Sequence, residues 1–569
     1  MMEFHSMQGA GLLTNRKGGY ALLTTLPHSR YDGVHLMSGN RMFKIIDRLT
    51  NDEPIKDVCY KMWALERRRS TFREQFFTPI GMDCLMYETS REVTIGLTLD
   101  MRDAYDMRDW GRIYEVHEDE NYCTITFTKI TDHREDESDG DVEFRLYLVI
   151  DKENISIARV DSWDRTVYPY DSQRAGREIA RFLHTPINIT GSRICMAYGT
   201  DRKAAIEELE LLKRHAGVIQ DDVRHYTATL VQRHADERSS ETLANACSLN
   251  AVEKLMIHEK EGTGMIAGLP WFFQRWARDE LISTGSLIVS GRLEEASEIL
   301  SHYIPMIDTD GRLPNRSPAT ELGSIDAMGW LVKRVDDFLE MTAEMGNRQL
   351  YVSDIEMAQI SHELEVGIKR FIEHNSVHGL IYNGPKETWM DTAADGRQGF
   401  RIEIQAMFAR MYAVMYKLTA DHQYKKAEHE LRDLIRAHFW DGSTLHDGSE
   451  DKTIRPNAFI AGYIYPNILT TDEWRTCIDT MTQRLWLSWG GLSTIDTRDP
   501  HFVDRYTGED DRSYHSGDSW FFLNNMAAIL MHHIDKDHFR DRIMAIYEAS
   551  MKEILEMGII GAHAEVSSA

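Results

Sequence analysis

Asp201-Arg202-Lys203-Ala204-Ala205-Ile206-Glu207-Glu208-Leu209-Glu210-Leu211-Leu212 is where the chain changes its period. Ala205, Leu209 and Leu212 recur at i, i+4 and i+7, the spacing of one helical face, and Asp201 is placed to cap a helix that starts at Arg202. On the N-terminal side the apolar residues alternate instead. Val93, Ile95, Leu97 and Leu99 alternate with Thr94, Gly96, Thr98 and Asp100; Cys123, Ile125 and Phe127 alternate with threonines; Val142, Phe144, Leu146, Leu148 and Ile150 follow the same rule. Period two predicts strands with one buried face. Turn-rich acidic stretches such as Asp132 to Asp141 separate them, and no helical pattern intervenes. Residues 1–200 therefore read as an antiparallel β-sandwich rather than βαβ units. On the C-terminal side helical spacing recurs almost to the end, as in Leu281 to Leu300, Val332 to Met345, Asp354 to His374, Arg401 to Thr419 and Trp520 to Ile534. Residues 201–239 read as a linker helix, and 240–569 as a helical domain of at least ten helices.

The 569 residues carry a formal net charge of -26, which repels nucleic-acid phosphates and anionic membranes and suits a protein that handles neutral ligands. No apolar run is long enough to span a bilayer, and the N-terminus shows no basic region followed by an apolar one, so a cytoplasmic protein is expected. Cys59, Cys84, Cys123, Cys195, Cys247 and Cys477 are scattered without a CxxC, which predicts reduced, buried thiols and neither a zinc site nor a disulfide framework. No HExxH or GxxxxGK[ST] occurs, and no metal or cofactor is expected. Gly262-Thr263-Gly264-Met265-Ile266-Ala267-Gly268 has GxGxxxG spacing, but a helical pattern precedes it where a dinucleotide site needs a strand.

Four clusters combine aromatics with carboxylates. The first is Pro270-Trp271-Phe272-Phe273-Gln274-Arg275-Trp276-Ala277-Arg278-Asp279. Indole and phenyl faces cover the C–H face of a sugar ring, while Arg278 and Asp279 supply a donor and an acceptor for its hydroxyls. The plain alternative is a buried aromatic turn with a helix-starting ion pair. The second is Glu387-Thr388-Trp389-Met390-Asp391, where desolvation beside Trp389 is expected to raise the Asp391 pKa, as a general acid requires; otherwise Asp391 is a solvated loop residue. The third, Tyr514-His515-Ser516-Gly517-Asp518-Ser519-Trp520, is a polar pocket wall or a helix cap. The last, Gly558-Ile559-Ile560-Gly561-Ala562-His563-Ala564-Glu565, taken alone reads as a frayed tail.

In this order the clusters resemble the glucosidase part of glycogen debranching enzymes, the amylo-α-1,6-glucosidases. The resemblance extends to Thr14-Asn15, Gly18-Gly19-Tyr20-Ala21 and Arg30-Tyr31-Asp32-Gly33, to Arg312-Leu313-Pro314-Asn315 with Ser324-Ile325-Asp326-Ala327, and to Arg455-Pro456-Asn457. It departs at Asp32, where the family has His, at Ala277, where it has Gly, and at Asp518, where it often has Thr. It implies a β-sandwich followed by an (α/α)6 barrel of the glucoamylase kind, and hydrolysis with inversion by two carboxyl groups roughly 6.5–9.5 Å apart. It assigns Asp391 as general acid and Glu565 as general base. Arg278 and Asp279 would grip the terminal glucose, Trp271 and Trp389 would shape the walls, and His515 would join them. Glu403, in Arg401-Ile402-Glu403-Ile404-Gln405, is an extra polar contact and the reserve catalytic carboxylate. The resemblance further implies a last helix beyond the equivalent of Ala569, and the 569 residues leave no room for a transferase TIM barrel. The expected substrate is a branched glucan bearing single-glucose α-1,6 stubs. The alternatives are a glucoamylase-type α-1,4-glucosidase or trehalase, and a glucan-binding protein without turnover.

Overall fold

The computed structural model describes residues 4–6, 9–131, 143–232, 239–259, 262–318, 323–392, 396–505 and 512–569. They form two compact units. The first comprises Met1–His258, Gly268–Phe273 and Met551–His563; the second comprises Glu259–Ala267, Gln274–Ser550 and Ala564–Ala569.

The first unit is built on a continuous antiparallel sheet of fourteen strands. Two twenty-residue strands, Cys84–Asp103 and Ala180–Gly199, pair along most of their length, with register shifts at His184/Ile187 and Gly191/Arg193. Such bulges bend a strand and let one sheet fold over into a sandwich. The predicted alternation is realised: Val93, Ile95, Leu97 and Leu99 point into one core with Cys123, Ile125, Phe127, Leu146, Leu148 and Ile150. Val142 and the stretch Asp132 to Asp141 lie outside the described residues. Helix α1 is Pro169–Ala175 and α2 is Arg202–Gln232. The Asp201 carboxylate accepts the Ala204 N–H at 2.8 Å, so the cap read from sequence is present, and Ala205, Leu209 and Leu212 pack on the sheet. Helix α3, Ser240–Leu255, adds Ala246 and Cys247 to the sheet's core.

In the second unit the helices fall into two layers. Helices α4 (Ala277–Val289), α6 (Asp326–Glu344), α8 (Ile402–Thr419), α10 (Asn457–Ile464) and α13 (Phe521–Asp535) pack one on the next in that order. Between them in sequence come α5 (Leu293–Tyr303), α7 (Asp354–Asn375), α9 (His422–Phe439) and α11 (Thr471–Leu485), each packed on a member of the first set. Burial separates the layers. Nearly every residue of α10 is buried, whereas α9 buries only Tyr424, Leu431, Ile435 and Phe439. A helix apolar on all sides belongs inside, and one with a single stripe belongs outside. This alternation is that of an (α/α)6 barrel. The described residues add a short helix α12, Arg512–Ser516, and a longer helix α14, Arg540–Glu556.

The expected helix over 281–300 is two helices. Gly291 adopts φ 76, a left-handed conformation open to glycine, and α4 ends before it. The glycines of Gly262 to Gly268 are preceded by a strand, Met256–Glu259, and not by a helix; the first of them fall in a second strand, Gly262–Met265, with no helix following, so the strand–turn–helix of a dinucleotide site is absent. All six cysteines are free and buried. No described helix is long and apolar enough to cross a membrane.

Candidate active site

The N-terminal ends of the inner helices carry the polar residues. Arg278 lies in the first turn of α4, where the helix dipole disfavours a cation. It is held there by carboxylates: its Nε donates to Asp326 Oδ2 at 2.6 Å, and its Nη1 to Asp391 Oδ2 at 3.3 Å. Asp326 opens α6 and accepts the Ser324 hydroxyl on its other oxygen at 2.7 Å. The remaining guanidinium nitrogen, Nη2, is buried with no hydrogen-bond partner among the described residues. Next to it in sequence, Asp279 is partly exposed, and no side chain among the described residues donates to it. Loss of water around Asp279 pushes its carboxyl up to about 6, Arg278 opposing and Asp391 and Asp326 adding to the rise. An unused buried donor and an open carboxylate thus sit on consecutive residues.

Asp391 ends the loop 388–391 and is about one-third exposed. Behind it Trp389 is 6% exposed, enclosed edge-to-face by His515, Trp520 and Phe522 at centroid distances of 5.3, 5.2 and 5.5 Å. The indole N–H donates to Asn457 Oδ1 at 2.8 Å, and the Asn457 amide donates to Asp447 at 2.7 Å. Asp447 is fully buried and also accepts Arg397 and Arg401 at 2.8–2.9 Å. The loop therefore rests on a buried network whose members are paired, an arrangement that fixes geometry.

The stretch 514–521 reaches both carboxylates proposed by sequence. His515 Nε2 stands 3.9 Å from Asp391 Oδ1, too long for a hydrogen bond and short enough for attraction when the ring is protonated. The His515 ring lies flat on Trp520, 5.4 Å between centroids. Tyr514 donates its hydroxyl to Glu565 Oε2 at 2.9 Å. The backbone completes the hold on the chain end: Ser519–Trp520 pairs antiparallel with Val566–Ser567, and the Phe521 N–H donates to the Glu565 carbonyl at 3.3 Å. Glu565 is exposed but tethered, and is not a frayed tail. Burial, and the charges of Glu565, Asp391 and Asp279, push the Tyr514 hydroxyl far above its ordinary value, so it stays a donor.

Three readings from sequence change here. Desolvation does push the Asp391 carboxyl up, but His515 and the permanently charged Arg278 outweigh it and hold it below the usual carboxylate range. Glu403, expected as a sugar contact or reserve catalytic carboxylate, is fully buried with both oxygens on Arg397, at 2.7 and 3.2 Å. It anchors the network under the loop. Trp389 is likewise enclosed and presents little face to a ligand. Trp271 belongs to the first unit, where it stacks on Tyr170 at 5.7 Å and lies beside Tyr31 at 6.0 Å. Asp326 and Asn457 stood in motifs without a role; Tyr514 was visible only as the neighbour of His515; Arg397 and Asp447 carried no signal.

The profile of the amylo-alpha-1,6-glucosidase family matches residues 229–567, more than half of the chain. No curated protein matches it in sequence. Among solved structures, a bacterial glucoamylase complexed with acarbose superimposes with a TM-score of 0.57 at 11% identity, covering 98% of this chain and 91% of that one. A glycosidase variant gives a TM-score of 0.40 at 11% identity over 58% of this chain and 85% of its own. The likeness to the glucoamylase is one of fold. The family match, on a sandwich and helical barrel of the glucoamylase kind, establishes that the chain belongs to the amylo-alpha-1,6-glucosidase family, a glycoside hydrolase of the debranching-enzyme and glucoamylase class.

Proposed function

We propose that the protein removes single glucose units from α-1,6 branch points of glycogen-like glucans, with inversion at the anomeric carbon. Asp391 protonates the glycosidic oxygen, and Glu565 takes a proton from the attacking water. Arg278 Nη2 and the Asp279 carboxylate hold hydroxyls of the terminal glucose, and His515, buried against Trp389 and Trp520, faces Asp391 from behind. Trp389 and Glu403 act from behind, by holding the loop that carries Asp391. The observation that supports this reading best is the meeting at Tyr514-His515: the Tyr514 hydroxyl is bonded to Glu565, its ring lies 4.9 Å from that of His515, and His515 Nε2 stands 3.9 Å from Asp391, although the two carboxylates are far apart in sequence.

The depressed pKa of Asp391 fits the same scheme. Arg278 is its hydrogen-bond partner. Sugar hydroxyls compete for that guanidinium, and a sugar that draws it off leaves His515 alone to oppose desolvation, so the Asp391 pKa rises toward that of an acid that holds its proton. Acid strength is then tied to occupancy.

The test is glucose release from isomaltose, panose, limit dextrin, maltose and trehalose. Preference for the α-1,6 substrates is expected. Faster release from maltose or trehalose replaces the linkage assignment with the glucoamylase or trehalase one. Binding of the glucan with no release from any substrate makes the protein a binding module.

A further inference from the structure

We propose that Tyr514 is a positioning residue for Glu565: its hydroxyl fixes the carboxylate that activates water and keeps that carboxylate ionised in mildly acidic conditions. The proposal rests on Glu565 being the base. Glu565 is exposed and lies four residues from Ala569, a location that by itself gives a side chain many orientations. Its backbone is fixed by the pairing of Ser519–Trp520 with Val566–Ser567 and by the Phe521 N–H. Its Oε2 is fixed by Tyr514 at 2.9 Å. Tyr514 is itself clamped: its carbonyl accepts the Trp520 indole N–H at 2.7 Å, and its ring meets Trp520 edge-on at 4.6 Å. The same indole stacks on His515, which faces Asp391. One short segment thus faces Asp391 through His515 and holds Glu565 through Tyr514, and Tyr514 is the part of it that acts on the base.

The sign of the effect follows from the bond. A donor to a carboxylate favours the ionised form and lowers its pKa. Glu565 must be ionised to act, so its pKa sets the acidic limb of the kcat–pH profile, in which bound sugar already holds Asp279, whereas the kcat/KM profile also carries the Asp279 carboxyl. Tyr514→Phe keeps the ring and its packing while removing the donor. The expected result is an acidic limb moved to higher pH by about half to one unit. The plateau kcat should fall roughly tenfold, because the carboxylate is less well placed, with KM little changed. Tyr514→His, which retains a donor, should restore part of the limb, and it also serves as the second variant if the Phe substitution fails to fold. A Tyr514→Phe profile with the wild-type limb overturns the proposal, whether or not kcat falls. Glu565→Gln separates this from failure of the parent reading. If Glu565→Gln loses turnover while Tyr514→Phe leaves the limb in place, only the role of Tyr514 is wrong. If Glu565→Gln keeps near-normal turnover, the base itself has been misassigned.

Discussion

Arg278 is asked to do two things that pull against each other. It pairs with Asp326 and Asp391, and in the proposed mechanism it releases Asp391 to a proton when sugar arrives. Two predictions follow at this scale. Asp391→Asn should remove more than about 99% of turnover while leaving sugar binding largely intact, given the usual size of general-acid contributions; near-normal turnover measured with panose would exclude Asp391 as the acid. Arg278→Gln should raise KM by roughly tenfold and move the basic limb of kcat/KM up by about one pH unit. The direction is set by the depressed carboxyl: removing the cation raises the Asp391 pKa, and the acid then keeps its proton to higher pH. A profile with an unmoved basic limb would show that Arg278 does not govern Asp391. Arg278, Asp279 and Asp391 drew attention in the sequence because each sits in an aromatic-carboxylate cluster, whereas Glu565 was pointed to only by the family resemblance. Neither signal was enough for Glu403, whose role depends on Arg397 and Asp447, residues with no local signature.

Helix α3 carries a liability that can be measured. Lys254 is buried with its ammonium nitrogen lacking a hydrogen-bond partner among the described residues, 4.3 Å from the centroid of the Tyr60 ring. Burial pulls its pKa down to about 7. The unfolded chain holds that proton up to about 10.4, so between these values the unfolded state binds more protons and stability rises with pH. The penalty is fully present below pH 7 and fades as the pH approaches the unfolded value. Lys254→Met should therefore stabilise the protein by roughly 2 kcal/mol or more at pH 6 and by less at pH 9, read from urea denaturation. An equal effect at both pH values would mean that the lysine is solvated. Element boundaries show where local sequence is a sound guide. Capping by Asp201 and the alternation at Val93 to Leu99 were legible because they are local. The break at Gly291 was missed because both sides continue the helical spacing. The pairing that ties down Glu565 joins Trp520 to Val566, and no window of sequence contains it.

For the molecule as a whole, the change of period near Asp201 was sufficient to separate sheet from helices. The ring of alternating inner and outer helices came only from the family resemblance, since periodicity marks a helix without saying which layer it occupies. Because the proposed chemistry uses side-chain carboxylates for both proton transfers, activity should be unchanged after EDTA treatment; a loss restored by calcium would reveal an ion site. The most direct test of two carboxylates acting from opposite sides of the anomeric carbon is the configuration of the first glucose released. Proton NMR of a panose or isomaltose digest, recorded before mutarotation, should show β-glucose accumulating first. Initial release of α-glucose would mean retention of configuration and would rule out Asp391 and Glu565 as an acid and base working through water.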